Sequence, residues 1–408
     1  MKYKVFLGFF ILIFISVIYY FQTDTIASYG PEKEKIIEPK TYTAFDSLIF
    51  RYDSLITSEI DGSATVGAAL AVIHKGDIAF MKCFGVKKQG ENDPVDAHTV
   101  FRLASVSKTI TGVLAGILAE EKAIGLDDRV VDYIPDFRLK DSLNTYSLTV
   151  RHLLSHTSGL VPHAYDNLVE AGLPMTAIMD SLFRVNISGA PGQLYGYQNV
   201  LFSLYDTIAA LKTSKRFDQL LTEKLFIPFR MRNASAGYQS FSSNNNKAYP
   251  HIGYYGGKYR ALPLNDRYYN TIPAAGINAS IMDMARFLIA LSDRESTHSI
   301  HRIADTVMTP QVVSPLRWHY LRKWDRVDSK HYGLGWRLIG YKGRDIAYHG
   351  GYVQGYRSEI ALCREEEIGI AFLTNSPNRV GSMVVPSFLD MYFEKQGRKE
   401  GRKVNGKR

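Results

Sequence analysis

A serine and a lysine stand three residues apart at the predicted start of an apolar helix, in the stretch FRLASVSKTITGVLAGILAEE (residues 101–121). Ser105 would lie at or just before the first helical turn, where unpaired backbone N–H groups and the positive end of the helix dipole favour an oxyanion. Lys108 follows on the same face, within reach of the serine hydroxyl, which is a weak nucleophile at neutral pH and needs a nearby base. The same spacing fits a helix-capping serine beside a solvated lysine, so the pair alone leaves both interpretations open.

Further motifs follow the serine and lysine along the chain. In order, they are LTVRHLLSHTSGL (148–160), PGQLYGYQN (191–199), PAAGINASIMDMARFL (273–288), YGLGW (332–336) and HGGYVQGYRS (349–358). Together they resemble the family of class C β-lactamases and low-molecular-weight penicillin-binding proteins, which also includes D-aminopeptidases and serine esterases. The resemblance covers roughly residues 45 to 395. It implies a β-lactamase/transpeptidase-like α+β fold, in which helices flank an antiparallel sheet and an insertion is mostly helical.

The S-x-x-K motif of the family implies that Ser105 is a nucleophile and that Lys108 handles its proton. The second family motif, Y-x-N, fits three stretches of the chain, at residues 165–167, 197–199 and 268–270. Only Tyr197 follows a Pro-Gly turn and precedes an amphipathic helix, so the motif is assigned to Tyr197 and Asn199, and the other two stretches are interpreted as surface or packing residues. The resemblance then implies that Tyr197 relays protons and that the Asn199 amide holds Lys108 and a substrate carbonyl.

The third family motif, a basic residue and a glycine on a strand edge, matches His349 and Gly351 in the triplet HGG. A similar triplet at residues 251–253 lies in a loop rich in Asn, Tyr and Gly, whereas DIAYHGG runs off a predicted strand, so the later triplet is preferred. Glycine at this edge lets a substrate lie against the strand backbone. By the family pattern, the backbone N–H groups of Ser105 and Tyr352 form the oxyanion hole.

Histidine in this motif departs from the Lys-Thr-Gly of true class C β-lactamases and is more similar to certain D,D-carboxypeptidases and esterases of the same fold. A neutral imidazole anchors a carboxylate less strongly than an ammonium group does, so efficient hydrolysis of β-lactam antibiotics is not expected. Arg357 lies close to the motif in the sequence. One hypothesis is that Arg357 binds the substrate and supplies the missing positive charge.

Three histidines raise the alternative of a metal site, because His152 and His156 are four residues apart and His163 follows. No glutamate stands after His152 as in H-E-x-x-H, and no carboxylate that could be the third ligand is obvious. The stretch HLLSHTSGL also belongs to the family pattern, in which these positions are structural. The sequence therefore predicts neither a metal nor a cofactor.

The chain begins with a segment typical of exported proteins. Residues 5–21 carry no charge, and as a helix they would span ~25 Å, slightly less than a hydrocarbon core of ~30 Å. The run exceeds the apolar region of a typical signal peptide and no clear A-x-A follows, which favours an uncleaved membrane anchor over a removed signal. Lysines ahead of the run predict a periplasmic or extracellular body, which is secreted if the segment is cleaved.

The remaining organisation follows from composition and charge. The expected segments are an anchor or signal (1–22), a tether (23–42), a hydrolase domain (43–395) with a helical and loop insertion (about 150–270), and a basic tail (396–408). The formal net charge is +9, but the last fifteen residues carry a net +5 and Lys2 and Lys4 add two more. The body is therefore close to balanced, and no nucleic-acid partner is predicted.

These observations predict an exported serine hydrolase that forms an acyl-enzyme with an amide, ester or lactam carbonyl. D-amino-acid peptides or β-lactam-like compounds are the expected substrates, and a carboxylesterase of the same fold is the alternative. A catalytically silent binding module is a further alternative, but it would be expected to have lost Ser105, Lys108 or Tyr197, and all three are present.

Overall fold

The structure is a computed structural model that describes residues 43–254, 258–292, 299–315, 321 and 323–405, with the side chains of Tyr254 and of residues 395–405 left out. The chain divides into two units, residues 1–47 and 48–408. In the first, Thr43 and Asp46 cap the start of a helix, since Asp46 N–H donates to the Thr43 hydroxyl oxygen (3.2 Å). The predicted anchor and tether lie outside the described residues, among which no helix is long and apolar enough to span a bilayer.

Fourteen helices are defined in the described part of the chain. They are α1 (Ala44–Asp61), α2 (Ser107–Glu120), α3 (Val130–Tyr133), α4 (Ser142–Ser147), α5 (Val150–Leu154), α6 (Asp166–Glu170), α7 (Met175–Met179), α8 (Asn199–Thr213), α9 (Phe217–Leu221), α10 (Tyr238–Ser242), α11 (Ile272–Ala275), α12 (Ile281–Ser292), α13 (Ser299–Val307) and α14 (Val380–Asn405). The last helix continues into the predicted basic tail, whose Lys, Arg, Glu and Gln residues are good helix formers.

The strands of the described chain form three antiparallel sheets. They are β1 (Gly67–His74), β2 (Asp77–Gly85), β3 (Phe101–Arg102), β4 (Ser235–Ala236), β5 (His251–Tyr254), β6 (Lys258–Ala261), β7 (Ile277–Ala279), β8 (Val312–Val313), β9 (Val327–Tyr332), β10 (Arg337–Tyr341), β11 (Arg344–Val353), β12 (Tyr356–Cys363) and β13 (Ile368–Thr374). The main sheet has eight strands in the order β2-β1-β13-β12-β11-β10-β9-β8. The N-terminal hairpin of β1 and β2 therefore joins the strands from the last third of the chain, β8 to β13, in one sheet.

Helices cover both faces of the main sheet, which explains why β1 and β13 read as continuous apolar runs instead of alternating patterns. On one face α1 and α14 pack together: the Tyr52 hydroxyl donates to Val384 O (2.7 Å), and the Tyr52 ring meets Phe388 edge-on at 5.1 Å. Helices α2, α12 and α13 lie on the other face. The α+β fold expected from the sequence is confirmed.

A small sheet of three strands, in the order β3-β7-β4, joins the region before the insertion to the region after it. Strand β3 leads directly into the Ser105 turn, and Phe101 pairs with Ala279 of β7. The predicted insertion between them consists mainly of helices and loops, with the short strands β4, β5 and β6. The position of Ser105 thus depends on chain segments from both sides of the insertion.

The buried helix α2 touches the YGLGW motif so closely that side chains do not fit between them. A Cβ atom on Gly112 would lie 2.1 Å from Leu334 O, and one on Gly335 would lie 2.1 Å from Lys108 O. Gly335 also has a φ of +79°, which glycine adopts without strain. Glycine at both contacts therefore sets how close the motif comes to the helix that carries Lys108.

We expect Gly112→Ala to destabilise the protein by about 1–3 kcal/mol, because the new methyl group meets rigid backbone and overpacks the contact. Gly116→Ala on the same helix is the matched control, since its Cβ would meet Ile303 Cγ2 (2.7 Å), the end of a side chain that can move. Both substitutions gain similar helix propensity, about 1 kcal/mol. Urea unfolding measures the difference, and equal stability of the two variants would contradict this account of the contact.

Candidate active site

Ser105 lies in a single 3₁₀ turn (Ala104–Val106) between β3 and α2, just before the helix as the sequence predicts. The preceding residue, Ala104, has a φ of +47°, a conformation that is costly for a residue with a side chain. The turn is tied to two strands: Leu103 N–H donates to Ile277 O (3.0 Å), and Leu103 O accepts from the Ser358 hydroxyl. These bonds hold the strained turn, and Ser105 is partly exposed on it.

Lys108 is fully buried in the first turn of α2. Its Nζ donates to Asn199 Oδ1 (2.7 Å) and Ala274 O (3.0 Å), and lies 3.5 Å from Ser105 Oγ. Burial lowers the pKa of Lys108 well below its usual value, the Asp166 carboxylate opposes that shift, and the charge of Arg337 adds to it. A lysine with a lowered pKa is a neutral amine over a wider range of pH and can accept a proton.

The PAAGIN motif positions this helix through its backbone. Ala274 O accepts from Lys108, Pro273 O accepts from the Thr111 hydroxyl (2.8 Å), and Ile277 N–H donates to Ser107 Oγ (3.0 Å). The motif therefore holds α2 by hydrogen bonds that involve three of its residues, so its small and apolar residues contribute to the candidate site through their backbone.

Tyr197 and Asn199 reach the same point from the start of α8. The Tyr197 hydroxyl donates to Ser105 Oγ (3.0 Å), and the ring centroid of Tyr197 lies 4.6 Å from Lys108 Nζ. Asn199, the first residue of α8, is almost completely buried and accepts from Lys108 through its side-chain oxygen. The structure thus brings together the four residues that the resemblance assigned to acylation.

The Y-x-N stretch at residues 268–270 makes other contacts. Tyr269 is buried and donates to Asn278 Oδ1 (2.6 Å), and the Asn270 amide donates to Leu173 O (2.8 Å), so these two residues pack the fold. His251, in the alternative H-x-G triplet, accepts from Gln89 N–H (2.9 Å).

Strand β11 runs along Ser105. A Cβ atom on Gly351 would lie 3.0 Å from Ser105 N and 2.4 Å from Leu103 O, so the strand approaches the serine more closely than any side chain would allow. The ladder between β11 and β10 ends at the pair Tyr348 and Arg337. Residues 349–353 lie beyond that last rung, beside Ser105, at the place where the oxyanion hole is predicted.

His349 lies beneath the site, with none of its surface exposed. Its Nδ1 is 2.9 Å from Gly350 O, and its Nε2 is 3.2 Å from the Tyr332 hydroxyl. A carbonyl only accepts, so Nδ1 carries the proton and Nε2 accepts from Tyr332. Burial and the nearby charges of Arg337 and Lys108 lower the pKa of His349 well below its usual value. The imidazole is therefore neutral, as the sequence analysis supposed, but it is not at a surface that a substrate could contact.

Arg357, the hypothetical positive anchor, lies on the opposite face of the sheet from Ser105. Gly351 pairs with Ser358, which faces Leu103, so the next pair, Tyr352 and Arg357, faces away. Arg357 Nε donates to the buried Glu359 carboxylate (2.7 Å). The structure therefore does not bring Arg357 to the serine, and the Tyr352 side chain, 70% exposed, points the same way as Arg357. The role predicted for Tyr352 is that of its backbone N–H and does not depend on the direction of its side chain.

The sequence analysis missed a buried arginine at the site. The Cζ atom of Arg337 lies 5.5 Å from the ring centroid of Tyr197 and 6.0 Å from that of Tyr332. Its signal in the sequence was a charge at the start of an apolar strand, immediately after YGLGW. Arg337 brings a fixed positive charge close to Tyr197, the residue predicted to relay protons.

His156 also contacts the site, through the segment that carries Tyr197. Its ring packs against the Tyr197 ring (4.3 Å between centroids). Its backbone oxygen accepts from Gly196 N–H (2.8 Å), and its Nδ1 accepts from Gln198 N–H (3.2 Å). His156 thus supports both neighbours of Tyr197, and burial lowers the pKa of its imidazole well below the usual value.

The histidines considered for a metal have separate partners. His152 Nδ1 accepts from Thr149 N–H (3.2 Å) at the start of α5, and His163 Nδ1 lies 2.8 Å from Asp166 Oδ2. Within the ranges that the structure describes, no three His, Cys, Asp or Glu side chains are grouped as metal ligands.

Asp166 is a second residue that the sequence analysis misjudged. It was interpreted as a surface or packing residue in the first Y-x-N stretch, but both of its carboxylate oxygens accept from Asn199 Nδ2 (3.1 and 3.0 Å). The chain of contacts from Asp166 through Asn199 to Lys108 therefore reaches Ser105.

Comparison with known proteins agrees with the geometry. The model of the beta-lactamase family matches residues 52–388. The chain is 26% identical over 360 residues to penicillin-binding protein 4 of Amycolatopsis lactamdurans, over 86% of this chain and 89% of that protein. It is 24% identical to beta-lactamase-like protein 2 of Dictyostelium discoideum, over 78% of this chain and 58% of that protein.

Two further similarities bear on the length and the fold. Protein flp of Staphylococcus aureus (strain MRSA252) is 20% identical, over 83% of this chain and 64% of that protein. The chain thus spans less than two thirds of this relative and of the Dictyostelium protein. The structure of the octameric penicillin-binding protein homologue from Pyrococcus abyssi superposes with a TM-score of 0.72 at 21% identity, over 84% of this chain and 77% of that one, which supports the fold.

The two buried histidines predict a loss of stability in mild acid. Folded His156 and His349 resist protonation, whereas in the unfolded chain they bind protons below their usual pKa of 6.5. Their contribution to the free energy of unfolding is therefore complete above pH 6.5. It falls as the pH drops below that value, by up to about 1.4 kcal/mol per pH unit for each histidine.

Because other groups titrate in the same pH range, the pH dependence of unfolding is compared between wild type and variants that lack one histidine. Urea unfolding from pH 7.5 to 5 should show a smaller pH slope for His156→Gln and for His349→Gln than for wild type. Ser155→Ala, which removes a buried hydroxyl group but no imidazole, should keep the wild-type slope. Slopes that stay unchanged in both buried-site variants would show that these imidazoles are protonated in the fold.

Proposed function

The chain belongs to the beta-lactamase family, and we propose that within it this protein is a serine hydrolase that acts through an acyl-enzyme on amide, ester or lactam carbonyls. The observation that carries the proposal is the position of the Ser105 hydroxyl oxygen, 3.0 Å from the Tyr197 hydroxyl and 3.5 Å from Lys108 Nζ. A nucleophile beside a buried amine of lowered pKa and a phenol has the groups that acylation needs.

Acylation begins when Ser105 Oγ attacks the carbonyl carbon and gives its proton to Lys108 or Tyr197. The tetrahedral intermediate collapses, the bond to the leaving amine or alkoxide breaks, and the leaving group takes a proton from the same pair of residues. Ser105 is then esterified. The proton that leaves Ser105 passes through Lys108 or Tyr197 and ends on the leaving group, so the side chains of the site account for acylation without a cofactor.

The backbone beside Ser105 would stabilise the negative charge of the intermediate. Ser105 precedes the buried helix α2, and β11 passes close enough for a Cβ on Gly351 to meet Ser105 N at 3.0 Å. The N–H groups of Ser105 and Tyr352 are the proposed donors to the oxyanion. Hydrolysis follows when water attacks the acyl-enzyme and the same residues return the proton to Ser105.

We propose D-amino-acid peptides or β-lactam-like compounds as the first substrates to test, since one similar protein is named a penicillin-binding protein and another a penicillin-binding protein homologue. A carboxylesterase is the second candidate. It is favoured by the burial of His349 and by the ion pair of Arg357 with Glu359, because a substrate without a carboxylate needs neither residue as an anchor.

Export remains part of the proposal. It is supported by the uncharged run of residues 5–21 and by Lys2 and Lys4 ahead of it. A compartment outside the cytoplasm is where peptides of the cell wall would be met. A silent binding module is disfavoured, because a protein without catalysis has no need to bury the amine of Lys108 beside Ser105.

We expect wild-type protein to be labelled covalently by a fluorescent fluorophosphonate or penicillin and Ser105→Ala to remain unlabelled, because Ser105 is the only nucleophile in the proposed reaction. Mass spectrometry of the labelled peptide should place the adduct on Ser105. Ser155→Ala, at a buried serine just after α5 that donates to Arg151 O, is the control and should be labelled like wild type. An adduct that persists in Ser105→Ala, or an inert wild type, would overturn the proposal.

Wild type and Ser105→Ala also distinguish between the proposed substrate classes. Turnover of nitrocefin, of a D-Ala-D-Ala peptide and of a short p-nitrophenyl ester, each compared with Ser105→Ala, shows which carbonyl is hydrolysed. Labelling by penicillin without turnover of nitrocefin would indicate that β-lactams acylate Ser105 but are not released from it by hydrolysis.

We expect Tyr197→Phe to lower the rate constant of acylation by about 10²- to 10⁴-fold, because it removes the hydroxyl that bonds Ser105 and relays its proton. Tyr165→Phe is the matched control, since the Tyr165 hydroxyl bonds only Ser181 O among the described contacts that involve it (2.9 Å). Stopped-flow measurement of labelling gives both rate constants. A Tyr197→Phe variant as fast as Tyr165→Phe would remove Tyr197 from the mechanism.

A further inference from the structure

Asp166 lies at the start of α6, and its side chain is 19% exposed. Its two oxygens accept from Asn199 Nδ2 at 3.1 and 3.0 Å. On the other side of the amide, Asn199 Oδ1 accepts from Lys108 Nζ at 2.7 Å. A carboxylate, an amide and an amine therefore form one hydrogen-bonded chain that ends 3.5 Å from the Ser105 hydroxyl oxygen.

The direction of this chain follows from the chemistry of its members. A carboxylate only accepts hydrogen bonds, so it selects the NH₂ end of the amide. The carbonyl end of Asn199 must then face Lys108, where it can accept from the amine. Asp166 thus decides which end of Asn199 meets the lysine, and the negative charge polarises the amide so that its oxygen accepts more strongly.

The loop before α6 is built to bring Asp166 to this position. His163 and Tyr165 both have left-handed backbone conformations, with φ of +60° and +63°, which residues with side chains adopt only when the surroundings hold them. His163 N–H donates to Tyr197 O (2.8 Å), so the loop is fixed to the segment that carries the tyrosine. His163 Nδ1 contacts Asp166 Oδ2 (2.8 Å) and limits the rotation of the carboxylate.

We propose that Asp166 is a positioning residue of the acylation site, which orients Lys108 toward Ser105 through the Asn199 amide. The inference rests on the proposed function, because the lysine needs orientation only if it handles the proton of the serine. Asp166 itself touches neither Ser105 nor a reacting atom, so it acts through Asn199.

The charge of Asp166 also changes the pKa of Lys108, and this effect can be measured through the pH dependence of acylation. The charged and titratable groups around Lys108 are Asp166, Arg337, His156, His349 and Tyr197. Among the charges that act on Lys108, Asp166 raises the lysine pKa and Arg337 lowers it further below the value set by burial. If neutral Lys108 accepts the serine proton, acylation speeds up as the pH rises through the lysine pKa. Removal of the carboxylate charge must then move this rising limb to lower pH.

The test is the pH dependence of the reaction of Ser105 with the fluorophosphonate in full-length wild type and in Asp166→Asn. In this reaction Ser105 forms a phosphonate ester and displaces fluoride, and it must lose its proton as in acylation. We expect Asp166→Asn to react about 10- to 100-fold more slowly on its plateau, as is usual when a reacting group is misplaced by small distances. We also expect its rising limb to shift to lower pH. Asp166→Ala, which removes the hydrogen bonds as well as the charge, should show the same shift with a slower plateau. Circular dichroism and thermal unfolding establish that each variant is folded. If Asp166→Ala does not fold, the test rests on Asp166→Asn, whose side chain has nearly the same shape as that of aspartate.

Glu170→Gln is the matched control, because it removes an exposed carboxylate from the same helix, and that carboxylate bonds Tyr268 instead of Asn199. It should keep the wild-type plateau and limb. In an Asn199→Ala background, Asp166→Asn should cost much less of the plateau rate than it costs in wild type, since the residue through which it acts is gone.

The outcomes distinguish the two proposals. A wild type that reacts at Ser105, with an Asp166→Asn variant of unchanged plateau and limb, would overturn the role of Asp166 alone. The same holds if Asp166→Asn lowers the plateau equally with and without Asn199, or if Glu170→Gln behaves like Asp166→Asn. A wild type that does not react at Ser105 would overturn the proposed function and this inference with it.

Discussion

The buried amine of Lys108 is the constraint on which the arrangement of this protein depends. A lysine removed from water loses strong hydration, so it persists only where acceptors replace the water or where the amine is neutral. Here Asn199 and Ala274 supply the acceptors, and the pKa is lowered. The acceptors come from points 91 and 166 residues further along the chain. Supplying hydrogen-bond acceptors to this one amine therefore requires three segments that are distant in the sequence to meet. Ser105 lies where these segments meet.

The rest of the fold can be understood as support for that meeting. Helix α2 is held from one side by the backbone of the PAAGIN motif and from the other by the glycine contacts of YGLGW. The main sheet supplies β11, which reaches Ser105 with a glycine where any side chain would collide. The PAAGIN, YGLGW and HGG motifs thus share a task, since each brings backbone against the segment that carries Ser105 and Lys108.

Much of this could be predicted, for reasons that particular residues make clear. Ser105, Lys108, Tyr197 and Asn199 meet as the resemblance implied, because each lies at a helix start and the order of motifs is characteristic of the fold. The face of the sheet on which a given strand residue lies was harder to predict. Arg357 is only one residue from Ser358, yet it lies on the other side of the sheet, and that depends on a register that sequence alone leaves undefined.

Asp166 could not be found by pattern, for a different reason. Its loop contains two left-handed residues that are not glycine, His163 and Tyr165, and no propensity predicts such conformations. Arg337 was missed because a charged residue in an apolar strand usually marks an exposed edge. In both cases the deciding fact is tertiary: a backbone bond from His163 to Tyr197 O, and the packing of a guanidinium near Tyr197 and Tyr332.

The hydroxyl of Ser358 bonds the carbonyl of Leu103 across 255 residues of sequence. A ribosome delivers the chain from its N-terminus, so the serine emerges long before the strand that completes its surroundings. Until the strand with Ser358 has emerged, the turn at Ala104 lacks one of the two strands that hold its unfavourable backbone. In the proposed function, an unfinished chain would thus contain the nucleophile without the complete site that activates it.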